Sequence, residues 1–361
     1  MTLDVQQFGR EKGQHGGGAR SPGAAPAGTA GASRWKRGAK KATVLLLLLL
    51  LGGVSYITIY YLRTGEPISR MPGMPAPLSK VLQEPPIYRG SIYGATHPIG
   101  VAVSRDGLIY VTEGDGDRSI RVFDRAGQQV RAFFAPFTDA VSRVPVYDAI
   151  GPDGELYVTD RLSSTIQVFT RDGKLDREIK SPFGDAGWMP IGLGFDQAGN
   201  LYVTDVTQGN HRVLVLDRES KLQLQFGTQG SEQGQFLFPN AVAVDDKGRI
   251  YVGDSNNGRV QVFDQSGKFL AAIGRGSAAG DLALPRGLAI DLKLHLLFVV
   301  DTTRGEVVAY DISKSAPTFV RAFGAEGDPQ GMVFPNAIAL DGENRLYVTD
   351  KENNRVQVWS Y

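Results

Sequence analysis

Short apolar stretches at period two recur along the last three quarters of the chain. Residues 101–103, 109–111 and 120–123 are early examples, and they are rich in Val, Ile, Tyr and Phe. Asp-Gly or similar pairs separate successive stretches, as at 106–107 and 153–154. This pattern is typical of antiparallel strands joined by tight turns. Since no sustained helical period appears in this region, we predict an all-β domain.

The strand pattern is repeated six times, and a proline opens each copy. The prolines stand 45 to 50 residues apart, at Pro98, Pro145, Pro190, Pro239, Pro285 and Pro335. A period of this length is typical of propeller blades, and four strands per blade around one axis hide most sheet edges. The sixth copy has only three strands, whereas residues 88–94 resemble a fourth strand. We therefore predict a six-bladed β-propeller over 86–361, closed by its N-terminal strand.

The motifs of the copies are specific. Copy four reads Pro-Asn-Ala-Val-Ala-Val at 239–244 and Arg-Val-Gln-Val-Phe at 259–263, and copy three carries Asn-His-Arg at 210–212. The chain thereby resembles the NHL-repeat family of six-bladed propellers, in its membrane-anchored bacterial type. Copies one, two and five carry Ser119, Thr165 and Glu306 where the others have arginine. The resemblance therefore implies the fold but no shared ligand.

The segment before the propeller has three parts. Residues 1–41 are rich in Gly, Ala, Ser and Pro, which predicts a disordered cytoplasmic tail. Residues 42–62 lack charges and include seven consecutive leucines, which predicts a single transmembrane helix rather than a cleaved signal peptide. Basic residues crowd its N-terminal side, so we expect a single-pass protein of the cell membrane with an extracytoplasmic propeller. Prolines make 63–85 an extended linker.

The charge distribution argues against nucleic-acid binding. The first 63 residues hold nine Lys/Arg and two Asp/Glu, a net charge of +7, which leaves 30 basic and 36 acidic residues, a net charge of −6, for the rest. Affinity for nucleic acid comes largely from Lys and Arg on phosphates, so the acidic propeller is not expected to bind RNA as some NHL propellers do. The absence of cysteine excludes disulfides, thiolate metal sites and cysteine nucleophiles.

Candidate site residues follow the prolines. If each proline precedes the innermost strand, Asn240, Arg286 and Asn336 form a polar arc at the mouth of the channel on the top face. An arginine between two amides suits a carboxylate, phosphate or sugar, although local turn caps and salt bridges also explain these residues. Asp148 stands where other copies have an apolar residue, which is costly unless the carboxyl is paired. His97 precedes Pro98 and completes the predicted ligand site.

A second set of carboxylates closes the second strand of each copy. Its members are Glu113, Asp160, Asp205, Asp254, Asp301 and Asp350. Recurrence in every copy favours a structural role, with each carboxylate accepting hydrogen bonds from backbone amides of its own loop. The acidic loop 113–117 lacks the glycine and the closing glutamate of an EF-hand, so we predict no calcium there.

Two catalytic alternatives come from the resemblance. An amidating lyase of this type holds zinc through three histidines, but His97, His211 and His295 are too dispersed to share one ion. Other six-bladed propellers are calcium-dependent lactonases, to which Asn240, Asn336 and Asp148 could contribute ligands. Our hypothesis is a non-catalytic binding or scaffold module for a protein or glycan partner on the top face, without a cofactor. The alternative is a calcium-dependent hydrolase or lactonase in the top of the channel.

Overall fold

The computed structural model describes Tyr60, residues 62–63, 85–136, 139–274, 280–325 and 330–361. The predicted tail lies outside these residues, and so do nearly all of the predicted membrane span and linker. No helix within the described parts of the chain is long and apolar enough to cross a membrane. The described strands belong to the second of two units of the chain, Pro72–Tyr361.

Six four-stranded antiparallel sheets form the blades of a propeller. Blade 1 comprises β2 (Pro98–Val103), β3 (Ile109–Glu113), β4 (Ile120–Phe123) and β5 (Gln129–Phe133). Blade 2 comprises β6 (Pro145–Ile150), β7 (Leu156–Asp160), β8 (Thr165–Phe169) and β9 (Leu175–Ile179). Blade 3 comprises β10 (Pro190–Phe195), β11 (Leu201–Thr207), β12 (Asn210–Leu216) and β13 (Leu222–Phe226).

The second half of the ring follows the same order. Blade 4 comprises β16 (Pro239–Val244), β17 (Ile250–Asp254), β18 (Arg259–Phe263) and β19 (Phe269–Ile273). Blade 5 comprises β20 (Pro285–Asp291), β21 (Leu296–Asp301), β22 (Glu306–Asp311) and β23 (Thr318–Phe323). Blade 6 comprises β24 (Pro335–Leu340), β25 (Arg345–Asp350), β26 (Arg355–Ser360) and β1 (Ile87–Tyr93). Before blade 4, β14 (Thr228–Gln229) and β15 (Gln235–Phe236) form a short parallel pair, and Gly184–Ala186 and Ser255–Asn257 are 3-10 turns.

The N-terminal strand closes the ring, as the sequence predicts. Strand β1 pairs antiparallel with β26, and Tyr88 lies opposite Trp359. The two rings stack edge to face with centroids 5.5 Å apart. Nε of Arg89 also donates to Oγ of Ser360 over 2.7 Å. This pairing confirms six blades and the predicted completion of blade 6.

Each innermost strand begins at its proline, which confirms the assumption behind the predicted site. Proline cannot donate to a ladder, and the innermost strand is an edge strand that does not need the missing N–H. In all six blades the register with the second strand shifts directly after the proline. The loops before these prolines and the loops between second and third strands therefore share one face, which we call the top face.

The core lies between neighbouring blades. Second and third strands are buried almost throughout, whereas fourth strands consist mostly of exposed and half-buried residues. Between blades 3 and 4, for example, Val213, Val242 and Phe263 belong to one buried cluster. Each such side chain contributes about 1.5–3 kcal/mol on burial, so the interfaces between the blades stabilise the ring.

Buried hydroxyl groups join adjacent blades, a feature that the sequence analysis did not predict. Thr112 donates to the carbonyl of Val146 in the next blade over 2.6 Å, and Thr159 donates to that of Ile191 over 3.0 Å. Thr349 closes the ring by donating to the carbonyl of Ile99 over 3.0 Å. In blades 4 and 5, Ser255 and Thr302 take this role from a position two residues further along.

Candidate functional site

The top-face end of the central channel is a cavity of about 540 Å³, which we call the top mouth. Blades 1 to 3 contribute apolar residues after their prolines, and blades 4 to 6 contribute polar ones. These six positions are Ile99, Val146, Ile191, Asn240, Arg286 and Asn336. The structure therefore brings together three of the five predicted site residues, Asn240, Arg286 and Asn336.

Arg286 is held in place by Asn336 and Phe334. Its Nη1 donates to Oδ1 of Asn336 over 3.0 Å, and its guanidinium carbon lies 5.2 Å from the centre of the Phe334 ring. Asn336 is itself buried and donates to the carbonyl of Phe334. Nε of Arg286 is buried and has no hydrogen-bond partner among the described residues. An acceptor that entered the channel could therefore bind this edge of the guanidinium, as carboxylates do.

Two phenylalanines stand at the rim of the top mouth. Phe238 and Phe334 are 45% and 38% exposed, although both rings are large and apolar. Their φ angles are 54° and 58°, in the left-handed region that bulky residues rarely adopt. Backbone hydrogen bonds hold the loop of Phe238, because its carbonyl accepts from the amide of Ser255. The fold thus maintains a strained backbone that presents aromatic surface beside the channel.

The top mouth is locally basic. Arg118, Arg161, Arg286 and Lys351 line it, and no Asp or Glu within the described ranges does so. The ammonium of Lys351 lies 5.1 Å from the centre of the Phe334 ring, and Arg286 also contacts this ring. Since the region beyond residue 63 carries a net charge of −6, the cavity has the opposite sign to the domain that surrounds it.

The other end of the channel is a separate cavity of about 360 Å³, which we call the lower chamber. Tyr147, Asn240 and Arg286 line both cavities and therefore lie at their boundary. Asp148 lines only the lower chamber, so it does not belong to the top mouth in which the sequence analysis placed it. Burial raises the pKa of the Asp148 carboxyl well above its usual value. Tyr147 lies between the lower chamber and the top mouth, and it therefore separates Asp148 from the predicted site.

Tyr147 divides the channel. The other blades place glycine or alanine at this position, namely Gly100, Gly192, Ala241, Gly287 and Ala337. Small residues fit there because the next blade approaches closely; a Cβ on Gly287 would lie 2.7 Å from the carbonyl oxygen of Asn336. The side chain of Tyr147 packs instead in a cluster with Ile191 of blade 3 and Ala337 of blade 6. Burial raises its pKa to about 12, against the opposing charge of Arg286.

The role of Tyr147 was not predicted from the sequence. The available signal was one bulky residue where the aligned copies have only glycine or alanine. That comparison shows that the position is unusual. It does not show whether the ring turns outwards or crosses the channel.

His97 lies at the outer rim and lines neither cavity. Its Nδ1 is 3.5 Å from a carboxyl oxygen of Asp115, and its Nε2 is 3.8 Å from one of Glu352. Its backbone amide donates to Oδ1 of Asn354. The structure therefore separates His97 from the predicted ligand site.

The remaining two propeller histidines are elsewhere. His211 is buried, with its ring centre 4.8 Å from that of Phe238. His295 lies in the turn before β21, at the end opposite the top face. In the described ranges, no three His, Asp or Glu side chains are grouped so that they could hold a metal ion. Asn336 lines only the top mouth and Asp148 only the lower chamber, with Asn240 at their boundary, so the three residues do not line one cavity as the lactonase alternative expects.

The six carboxylates that close the second strands have structural contacts, but the predicted backbone amides of their own loops bind only those of blades 1, 2, 3 and 5. All are at most 1% exposed, and each accepts from a backbone amide of the loop before its blade, as Asp205 does from Met189. Asp254 and Asp350 also pair with Arg259 and Arg355 at 2.8 and 2.6 Å. In blade 1, Arg121 contacts Glu113 at 2.7 Å and compensates for the missing arginine at position 119.

Comparison with known proteins places the chain in a family. The model described as "SMP-30/Gluconolactonase/LRE-like region" matches residues 144–361, and the chain belongs to this family. NHL repeat-containing protein 3 of Mus musculus is 30% identical over 194 residues, which are 50% of this chain and 55% of that protein. A probable peptidyl-alpha-hydroxyglycine alpha-amidating lyase of Caenorhabditis elegans is 30% identical over 163 residues, 42% of this chain and 45% of that protein.

The chain thus spans about half the length of these two relatives. Among solved structures, a streptogramin B lyase aligns with a TM-score of 0.52 over 75% of this chain and 86% of that one. At 16% sequence identity this likeness shows the fold alone.

Proposed function

We propose that the propeller is a non-catalytic binding module whose top mouth receives an acidic or C-terminal segment of a partner polypeptide. The observation that carries this proposal is Arg286, held by Asn336 with its Nε unpaired, in a cavity that four basic side chains line. A desolvated arginine that lacks an anion partner suits a carboxylate.

The rim of the top mouth supports a polypeptide partner. Phe238 and Phe334 are exposed there, and Met189, which lines the cavity, is 37% exposed. Aromatic residues, methionine and arginine are enriched at protein interfaces, and hot spots combine such anchors in pockets that exclude water. A neutral glycan would also stack on the rings, but it would leave Arg286 without an anion beside its unpaired Nε.

Binding of peptides to the full-length protein tests the proposal. An array of acidic peptides is compared with the same peptides in which Gln replaces Glu and an amide replaces the C-terminal carboxylate. The acidic set should bind, and Arg286→Ala should weaken binding roughly ten- to hundredfold, the range for a hydrogen-bonded charge. Glu219→Ala, an exposed change at the opposite end of the propeller, is the matched control. Equal binding of both sets, or unchanged binding by Arg286→Ala, would contradict the proposal.

A photo-cross-linker connects this assay to the native partner. Placed at Phe238 it should capture a discrete partner in membranes, whereas at Glu219 it should not. Acidic peptides from the array should compete with the capture at Phe238. If the acidic peptides do not reduce cross-linking of the partner at Phe238, the partner binds another surface.

We also propose that the propeller is tethered to the outer side of the cell membrane. This proposal rests on the uncharged residues 42–62 and on the basic residues that precede them. Alkaline phosphatase fused after Tyr361 should be active, and a fluorescent protein that folds only in the cytoplasm should be dark. The reverse result would place the propeller in the cytoplasm.

Family membership favours a second candidate, a metal-dependent hydrolase of the lactonase type. The described residues of the channel do not fit such a metal site, because Asp148 is the one carboxylate that lines it. Metal analysis and melting of the full-length protein with calcium or chelator test this candidate. We expect no stoichiometric calcium and no shift in Tm, and lactone hydrolysis that requires calcium would overturn the binding-module proposal.

A further inference from the structure

The lower chamber is an aliphatic cavity with one acid in its wall. The innermost strands of five blades contribute Val101, Leu193, Val242, Leu288 and Ile338. The sixth contributes Asp148 at the equivalent position, where it lies opposite Val158 in the register of blade 2. Asp148 and Arg286 are the charged side chains that line the chamber within the described ranges.

Two residues that line this chamber carry unpaired polar atoms. Across the described residues, the buried side-chain polar atoms without a hydrogen-bond partner are both carboxyl oxygens of Asp148 and Nε of Arg286. The two residues belong to blades 2 and 5, on opposite sides of the channel. Buried polar groups in native proteins nearly always have partners. The unpaired carboxyl of Asp148 therefore points to a ligand with a donor, whereas Nε of Arg286 is itself a donor and belongs to a residue at the boundary with the top mouth.

The fold itself does not require Asp148. In five blades an apolar residue at this position completes the packing against the preceding blade, as Val242 does against blade 3. The Asp148 side chain lies against Gly100 of blade 1, so closely that a Cβ on that glycine would collide with its Oδ1. A buried carboxyl without a partner is costly, and among the described residues no other side chain donates a hydrogen bond to this carboxyl.

Asp148 also lacks a counter-charge. No ion pair joins it to Arg286, whose positive charge acts on Tyr147 instead. We propose that the lower chamber binds a small organic molecule that carries a protonated amine on an apolar body, with the amine paired to Asp148. A volume of about 360 Å³ lies within the range of small-molecule sites. Since Tyr147 separates the two cavities, the proposal does not depend on the partner of the top mouth.

Binding of simple amines to the full-length protein tests this site. n-Butylamine is compared with n-butanol, which has a similar length and no charge, by calorimetry and by thermal shift. The amine should bind at least tenfold more tightly than the alcohol and should raise Tm. Asp148→Asn should abolish this preference, whereas Asp115→Asn, which alters an exposed acid on the top face, should leave it intact.

Asp148→Leu provides a second variant whose side chain the fold already accommodates in blades 3 and 5. It should lose the amine preference while acidic peptides still bind the top mouth, which separates this proposal from the function proposed above. Equal binding of amine and alcohol by the wild type, or an amine preference that persists in either Asp148 variant, would overturn the proposal.

Discussion

Blades 2 and 4 share four strands but differ in how they satisfy a buried carboxylate. In blade 4, Asp254 accepts from the amide of Leu237 and from the side chains of Asn257, Arg259 and Gln261. In blade 2, Asp160 accepts from the backbone amides of residues 144, 162 and 163 and from the hydroxyl of Ser163. The carboxylate at this position thus fixes the loops of both blades, although its hydrogen-bond partners differ. This is what we expect of a residue with a structural role.

The innermost strands differ in the opposite way. Blade 4 has Ala241 and Val242 where blade 2 has Tyr147 and Asp148. Tyr147 crosses the channel and Asp148 is buried without a partner, so neither substitution serves the packing of its own blade. Residue types that five blades share at one position serve the packing of the ring. A position at which one blade carries a different residue, and loses stability by it, indicates a role specific to that blade.

Loss of a paired carboxylate should be the largest effect. Asp254→Ala leaves the guanidinium of Arg259 buried without its anion, and removal of one partner from a buried pair costs about 3–5 kcal/mol. Asp160→Ala loses only hydrogen bonds to amides and a hydroxyl, and should cost about 1–3 kcal/mol. Urea denaturation of both variants measures the difference. Equal losses would show that the arginine adds nothing to the stability of blade 4.

Removal of the unpaired carboxyl should change stability in the opposite direction. Asp148→Leu installs the residue of blades 3 and 5 and should raise the free energy of unfolding by about 1–3 kcal/mol, the cost of an unsatisfied buried group. Val242→Asp, the reverse exchange in blade 4, should lower it by a similar amount. Denaturation curves for the pair check both signs. A destabilised Asp148→Leu protein would mean that the carboxyl has a structural partner.

The repeat made most of the fold predictable. The six prolines, the turn pairs and the short N-terminal strand sufficed to predict the blade count and the completion of blade 6 by the N-terminal strand, because each blade must satisfy the same ladder. The bonds from Thr112 and Thr159 to the next blade were not predicted, since they join residues whose proximity depends on how neighbouring blades stack. The mouth residues Asn240, Arg286 and Asn336 were predictable from their place after the prolines.

The misplaced site residues have a common explanation. Asp148 follows its proline by three residues and Arg286 by one, and along a strand this spacing separates the two ends of the channel. His97 precedes its proline as Phe238 and Phe334 do, and with a similar positive φ, but its ring lies beside Asp115 and Glu352 and not in the top mouth. Sequence spacing indicated the strand of each residue but not the depth at which its side chain lies.

The raised pKa of Asp148 should make the free energy of unfolding depend on pH. Its pKa is raised in the folded protein, so between about pH 3.9 and that raised value the folded state holds a proton that the unfolded state has released. The contribution of Asp148 to stability therefore falls as pH rises, by about 1.4 kcal/mol per pH unit in this window. The difference in unfolding free energy between wild type and Asp148→Asn should follow this slope. Other carboxylates titrate alike in both proteins, and a flat difference would show that Asp148 is ionised in the folded state.

The smallest expected effect concerns a single bond between blades. Thr159→Val removes the hydroxyl that donates to the carbonyl of Ile191 and accepts from the amide of Tyr147, and a hydrogen bond contributes about 1 kcal/mol net. Thr159→Ser keeps the hydroxyl and is the matched control. The bond also contacts the backbone of Tyr147, which separates the two cavities. If the bond positions Tyr147, Thr159→Val should reduce the preference of the lower chamber for the amine over the alcohol. Thr159→Ser should keep this preference. A valine variant as stable as the serine one would mean that packing alone joins blades 2 and 3.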